Sequence, residues 1–449
     1  MTLLWTDTLI LLLLVASIAV AFYLHEKEHL QRPLNKIARS NVGMVSLVVL
    51  LFFLLVGLLD SIHFKSSQDN GNEIISLLDY FATPVRTQSE KTYSAPFATT
   101  LYNKEMVAVD GVMVWDYPRL VFGGKHLAHP QTDRLSDVVK KIGFGFLLGV
   151  TLFIVFLCIP GGISYLRCGA IPKFFAIRPV MITLFILTVI STVLAYLSLY
   201  YHVLGTDKVG EDVFYQAVKS IRTGLVIGTL TTLIMLPLAI LFGILAGFFR
   251  GWVDDVIQYL YTTLNSIPGV LLIAASVLMV QVYMANHEDQ FTSVIVRADM
   301  RLLFLCMILG VTSWTGLCRL LRAETLKLRE MEYVQAAYAL GVKQHAILLR
   351  HILPNVMHIV LISVVLDFSS LVLAEAVLSY INIGVDPTTY SWGNMINGAR
   401  LEMAREPVVW WSLSAAFVFM FALVLAANLF ADVVQDAFDP RSAGNESFE

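Results

Sequence analysis

Four places in this chain carry residues whose type and spacing could do chemistry. His25-Glu26-Lys27-Glu28-His29 matches H-E-x-x-H, and on a helix its two histidines would share a face, as zinc ligation with a glutamate base requires. That pattern makes a membrane-embedded zinc protease one candidate. Against it, the segment is a dense run of charge that reads as a solvated helix end, and no convincing third ligand lies nearby. Asp367 and Glu375 fall inside an apolar run, where a carboxylate is costly unless it faces a polar cavity or meets a partner. They are candidates for a solute pathway or a contact with a second subunit, or for acids satisfied within a helix bundle. Cys158, Cys168, Cys306 and Cys318 form no close-spaced set and predict neither disulfides nor a metal site. The fourth place is Met331 to Asn355, polar and basic between two long apolar runs, and its chemistry is recognition of a partner.

In that segment Val334, Ala337, Tyr338 and Leu340 recur at helical spacing, so Met331 to Leu340 reads as a short amphipathic helix. Gly341 then ends it, because glycine tolerates the left-handed conformation a helix needs just past its last turn. A second helix is expected over Lys343 to Ile352 at a sharp angle to the first, closed by Pro354. The small pair Ala336 and Ala337 would let another protein's backbone come close, as a helix seated in a partner's groove requires.

The elements that must position these residues are membrane spans. Hydrophobic residues make up 57% of the chain and charged residues 14%, with a mean hydropathy of +0.72, which excludes an ordinary soluble domain. A formal net charge of −3 and the lack of a long basic run give no reason to expect a nucleic-acid partner. Nine apolar runs approach the ~20 residues a spanning helix needs: 3–24, 43–59, 142–160, 179–201, 220–249, 262–284, 302–320, 356–381 and 408–431. The first ends in Ala19-Val20-Ala21, which resembles a cleavage site, but no positive charge precedes it, so an uncleaved span is expected. Lys27, Arg32, Lys36 and Arg39 follow it, and positive charge in short loops marks the cytoplasmic side. The amino terminus is then outside and the carboxyl terminus cytoplasmic. Counting onward puts the loop with Arg167, Lys173 and Arg178 inside, together with the segment carrying Lys327, Arg329, Lys343 and Arg350.

The expected organisation is a polytopic, all-α transmembrane bundle. Two helices occupy 1–60, a small extracytoplasmic domain 61–140, a further helix pair 141–203, a transport core 204–441, and a cytoplasmic tail 442–449. Within 61–140, Met106 to Val109, then Asp110-Gly111, then Val112 to Val114 is a hairpin signal, since Asp-Gly suits a two-residue turn. Gly145 with Gly149, and Gly243 with Gly247, offer seams for close helix packing, and Pro237 can hinge its span. Asp207 is expected to cap a helix from Val209 onward.

The small pair, the glycine break and Leu353-Pro354-Asn355 together resemble the "EAA" loop of ABC importer permeases, and the flanking Glu332-Tyr333-Val334 looks most like the dipeptide and oligopeptide branch, in its C-type subunit. One departure is that the glutamate naming the motif is Gln335 here. Leu204-Gly205-Thr206-Asp207, with Gly210 and Asp212, is similar to the segment preceding the family's core, although the usual arginine before that second aspartate is Glu211. Ser266-Ile267-Pro268, Ser391-Trp392-Gly393 and Asp436 to Arg441 extend the likeness, which covers about half the chain.

The resemblance implies a type I ABC importer core in a bacterial inner membrane, with Glu332, Gln335, Ala336, Ala337, Leu340, Gly341, Leu353 and Pro354 meeting an ATPase. It implies as partners a second permease subunit, two cytosolic ABC ATPases and an extracytoplasmic substrate-binding protein. No G-x-x-x-x-G-K-[ST] loop is present, so the chain is expected to bind no cofactor and to be no enzyme, with ATP and magnesium held by the ATPases. A permease-like sensor that has lost transport is the remaining alternative, left open by Gln335.

Overall fold

Residues this apolar can satisfy their backbone at membrane depth only within their own segment, and helices accordingly dominate the chain. The computed structural model describes residues 4–25, 28–65, 74–109, 112–168, 178–287 and 293–438, with backbone alone at 18–25, 28–32, 108–109, 112, 131 and 159–168. The helices are α1 (Trp5–His25), α2 (Glu28–Arg39), α3 (Asn41–Ser61), α4 (Leu77–Phe81), α5 (Thr83–Arg86), α6 (Pro130–Cys168), α7 (Arg178–Ser198), α8 (Val213–Phe249) and α9 (Trp252–Ser266). They continue as α10 (Gly269–Asn286), α11 (Val294–Ser313), α12 (Thr315–Arg329), α13 (Glu332–Ala339), α14 (Gln344–Ile347), α15 (Leu353–Tyr380), α16 (Trp392–Glu402) and α17 (Trp411–Phe438). Two antiparallel hairpins complete the list, β1 (His63–Lys65) with β2 (Ile74–Ser76) and β3 (Glu105–Val109) with β4 (Val112–Asp116).

Among the described residues seven helices are long and apolar enough to cross a membrane: Asn41–Ser61, Thr132–Cys158, Arg178–Ser198, Val213–Phe249, Gly269–Asn286, Gln344–Tyr380 and Trp411–Phe438. The protein is a multi-pass membrane protein. Two of the nine expected runs have a different form. The run at 3–24 lies in α1, where Trp5–Ser17 is apolar but short. The run at 302–320 is divided at Trp314 between α11 and α12, and α11 carries Arg297, Asp299 and Arg301 in its first half, which lowers its hydropathy.

The chain folds as two compact units, each assembled from distant stretches: Met1–Thr2, Ala38–Arg222 and Tyr390–Ala426 in the first, Leu3–Ile37, Thr223–Thr389 and Ala427–Glu449 in the second. In the first unit α3, α6 and α7 pack together, with Met44 and Val48 of α3 against Val180 of α7. Gly145 lets α6 approach α7 so closely that a Cβ there would stand 3.0 Å from Val193 Cα. The hairpin read at 106–114 is present, closed by the Val109 and Val112 pair, while its turn residues 110 and 111 lie outside the described residues.

The second unit has its core where α8, α12 and the start of α15 meet, around Met235, Ala239, Leu317, Leu321, Ile347 and Val356. Gly243 and Gly247 form the expected seam, since a Cβ at Gly247 would lie 2.6 Å from Thr325 Cβ and 2.8 Å from the Arg322 carbonyl. α1 belongs to this unit too. The Thr6 backbone amide and hydroxyl both donate to Asp299 of α11, and Leu9 and Ile10 cover the cluster containing Leu302 and Leu305.

Overpacking a seam of this kind costs about 1–3 kcal/mol. Gly247→Leu should therefore lower the thermal unfolding midpoint in detergent by several degrees, and Gly143→Leu, which meets nothing within 4 Å, should leave it unchanged.

Candidate functional site: the turn before α8 and the segment 331–355

Two sequence-read constellations take shape separately, one in each unit. In the first, Leu204 to Asp212 forms a tight turn into α8. Gly210 has φ +79°, and its α-carbon rests on the Glu90 carbonyl with no space for a side chain. The Glu90 amide donates back to the Gly210 carbonyl at 2.9 Å. Thr206 pairs with Ser94 through its amide at 3.1 Å, and its hydroxyl accepts from the Ser94 amide at 2.7 Å.

Asp207 does not cap a helix from Val209. Its Oδ1 accepts the amides of Val209 and Glu211 at 2.9 Å each, closing the turn, and the left-handed Gly210 interrupts any helical path there. Asp212 is the cap, accepting the Tyr215 amide at 3.0 Å, so α8 starts at Val213. Glu211, standing where the family places an arginine, accepts from Tyr390 Oη at 3.2 Å and from Gln216 Nε2 at 3.2 Å.

Sequence reasoning missed the charges that hold this turn. His202 is 3% exposed, with Nδ1 2.8 Å from Asp212 Oδ2 and Nε2 3.5 Å from Glu90 Oε1. Glu90 also accepts the amides of Val121, Phe122 and Gly123 at 2.9, 2.8 and 3.2 Å. Burial works against the proton on His202, but hydrogen bonding to Asp212 and the Glu90 charge outweigh it and raise the imidazole to about 9. Burial likewise opposes the Glu90 charge, and His202 with the three amides outweighs it, lowering the carboxyl to about 2. Glu90 lies over a hundred residues from Asp212, so no local pattern could have joined them.

In the second unit Met331, extended at ψ 141°, starts α13, and Leu340 ends it. Gly341 has φ +75°, its amide donates to the Tyr338 carbonyl at 3.0 Å, and the Val342 amide donates to Ala337 at 3.1 Å. This double bond is the Schellman closure that glycine permits. The two alanines face opposite ways. Ala337 is buried with Val334 and Ile347, and Ala336 is exposed with Glu332 and Leu340.

Pro354 does not close a separate second helix. α14, a π-helical turn over Leu348–Ile352 and α15 run on as one helix, Gln344–Tyr380. In the widened turn the Leu353 amide donates to Leu348, five residues back, which accommodates a proline lacking an N–H one position later. Leu353 and Pro354 are thus the first turn of α15. Asn355 Nδ2 bonds the His351 carbonyl at 2.6 Å and Tyr333 Oη at 3.1 Å, fastening that turn to α13.

Gln335 Nε2 donates to the Arg329 carbonyl at 3.1 Å, the last turn of α12, and Arg329 Nη1 donates to the Phe248 carbonyl at 2.6 Å, the last turn of α8. A carboxylate could not make the first of these bonds, which gives the glutamine a physical reason. Arg322 forks onto Asp254 at 2.6 and 2.7 Å, a hydrogen-bonded pair that lowers the aspartate and raises the arginine. A cleft of about 280 Å³ opens here between Phe248, Phe249, Val334, Gln335, Tyr338 and Gln344.

Asp367 and Glu375 stand two turns apart on α15. Glu375 is buried and accepts from Ser379 Oγ at 2.7 Å. Asp367 is half-buried, and only its main-chain carbonyl has a partner among the described residues, Ser370 Oγ at 2.8 Å. Glu26 and the side chains of His25 and His29 lie outside the described residues, among which no group of three or more His, Cys, Asp or Glu could hold a metal.

The signs of the two shifts fix how the turn responds to pH. The raised imidazole stabilises fully below its ordinary 6.5 and loses that contribution as pH rises through about 9; the lowered carboxyl stabilises above its ordinary 4.5 and loses it as pH falls toward about 2. Limited proteolysis of the purified protein should find 62–130 protected near neutral pH and cleaved at least threefold faster above about pH 9. His202→Ala should be cleaved at the fast rate already at neutral pH.

Residues 239–444 match the family described as the binding-protein-dependent transport system inner membrane component. The dipeptide transport system permease protein of Lactococcus lactis subsp. cremoris is 31% identical over 242 residues, which are 54% of this chain and 64% of the relative. The glutathione transport system permease protein of Pectobacterium atrosepticum is 30% identical over 240 residues, 54% of this chain and 73% of the relative. The oligopeptide transport system permease protein of Mycobacterium tuberculosis is 30% identical over 241 residues, 54% and 76%. With a membrane-length helix leading out of an exposed, glycine-closed segment and these relatives beside it, the chain belongs to the family of binding-protein-dependent transport inner-membrane components, the permeases of peptide ABC importers.

Proposed function

We propose that this chain is a transmembrane permease subunit of an ATP-driven importer that carries peptides or similar small solutes across the inner membrane. It works with a second permease subunit, two cytosolic ATPases and an extracytoplasmic substrate-binding protein. The observation that carries the proposal is mechanical. The exposed helix α13, with Tyr338 62% and Leu340 just past its end 83% accessible, is joined by the short turn Gly341–Lys343 to the 37-residue helix Gln344–Tyr380. Apolar side chains of that size seldom stand together in water without a partner. An ATPase that grips α13 and moves when it closes on nucleotide therefore pulls directly on a helix long enough to cross the bilayer. ATP and magnesium stay with the ATPases, and the transport names of the relatives support the solute class.

Ala336 is the outward member of the alanine pair, so Ala336→Glu places a charge in the docking surface without entering the core. Gly341→Val disfavours the positive φ of the closure. In proteoliposomes holding the assembled transporter, each should lower ATP-dependent uptake about tenfold or more while the chain remains in the membrane. Wild-type uptake by both would remove the coupling role. Ala337→Glu, by contrast, should lose folded protein, because it buries the charge.

The proposed orientation places the amino terminus and 62–130 outside and 331–355 in the cytoplasm. In a background with the four cysteines replaced, an impermeant thiol reagent on intact spheroplasts should label Trp5→Cys and Met113→Cys, both highly exposed positions, and spare Lys343→Cys. Labelling of the last would take the segment away from any cytosolic ATPase.

A further inference from the structure

We propose that Asp367 is the counter-charge for a cationic group of the transported solute, of the kind a peptide carries as its amino-terminal ammonium. The inference rests on the transport function proposed above and adds to it a recognition group and a charge preference. Asp367 lies in the middle of α15, inside the membrane-length helix Gln344–Tyr380. A carboxylate at that depth belongs in a water-filled cavity or beside an opposite charge, not among acyl chains.

Its direction is not free to change. The neighbouring Phe368 ring fills the space over Gly228 on α8 so tightly that a Cβ there has no place, which fixes the rotation of α15 about its axis. Ser363 and Ser370 stand four residues before and three after Asp367, so the carboxylate shares its helix face with hydroxyls.

No described lysine or arginine of the second unit pairs with the Asp367 carboxylate. Residues 223–249, 269–286, 353–380 and 427–438 contain no lysine or arginine, and His358, nine residues before Asp367, is about 13 Å away along the helix axis. Arg301 is engaged with Asp386 at 3.4 Å, and Arg322 with Asp254. Three other acids on the neighbouring helices and loops have partners: Asp299 takes Thr6, Asp386 takes Arg301, and Glu375 takes Ser379. The Asp367 carboxylate has none among the described residues. With no partner among the described residues, we place one outside the chain. We assign that partner to a transported group, because a half-buried carboxylate flanked by hydroxyls can bind a cation and release it again.

Charge replacement tests this directly. In the complete transporter reconstituted in vesicles, Asp367→Asn should cut uptake of trialanine at least tenfold with unchanged recovery of the other subunits, and Asp367→Glu should retain most of it. In a background with the native cysteines replaced, the thiol introduced by Asp367→Cys should react with small aqueous methanethiosulfonates. A sulfonate reagent should restore uptake, and a quaternary-ammonium reagent should not. Wild-type uptake by Asp367→Asn, or a thiol unreactive to both reagents, would overturn the proposal. Loss of the second permease subunit from Asp367→Asn preparations would overturn it in favour of a subunit ion pair. If the wild-type transporter takes up no trialanine, the peptide function fails instead, and reactivity of the introduced thiol still decides whether Asp367 faces water.

Discussion

A bilayer gives a backbone amide or carbonyl no partner, so every unpaired group at membrane depth must be bonded within the protein. Most of this chain obeys by being helical. The informative places are those where a helix is broken or bent, because each needs a specific local remedy. Ser40 starts α3 by accepting the Gly43 amide at 3.2 Å. Gly341 ends α13 with two main-chain bonds. The widened turn at Leu348–Ile352 carries the helix past Pro354, with the Asn355 side-chain Nδ2 donating to the His351 carbonyl. A proline that would end a regular helix is thereby kept within one, and residues from Gln344 onward remain a single element with the span.

Helix ends in the second unit are held by polar groups, not by apolar packing alone. Arg329 of α12 reaches the Phe248 carbonyl in the last turn of α8, and Gln335 of α13 reaches the Arg329 carbonyl in the last turn of α12, so α12 is tied to α8 and the exposed α13 to α12 through terminal carbonyls. Arg250 and Glu330, both substantially exposed, meet at 2.6 Å nearby and contribute little by comparison. The forked Arg322 and Asp254 pair is better sheltered and fixes α9 to α12. Residues 331–355 are therefore held to their neighbouring helices while Glu332, Ala336 and Leu340 stay exposed.

The first unit solves a different problem, attaching 62–130 to the turn before α8. It does so with a buried imidazolium between two carboxylates and with backbone contact at Gly210. Tyr93 Oη to Glu402 at 3.1 Å and Tyr102 Oη to the Val408 carbonyl at 3.0 Å add links to the stretch before α17. The described part of this stretch is consequently fastened to the rest of its unit at several points.

The sequence by itself determined the membrane class, most of the spans, the hairpin around 106–114, the packing seams and the residues of the exposed segment. Each of these is written in local composition or in spacings of a few residues, which hydropathy, turn chemistry and helical period report directly. Tertiary structure alone decided which alanine faces outward, that Asp212 and not Asp207 caps α8, and that Pro354 lies within a continuous helix. It alone brought Glu90 to His202, and it alone showed the Asp367 carboxylate without a partner among the described residues while Glu375 has one. Those outcomes depend on what stands opposite each side chain in space, and residues far apart in the chain leave no trace of that meeting in their spacing.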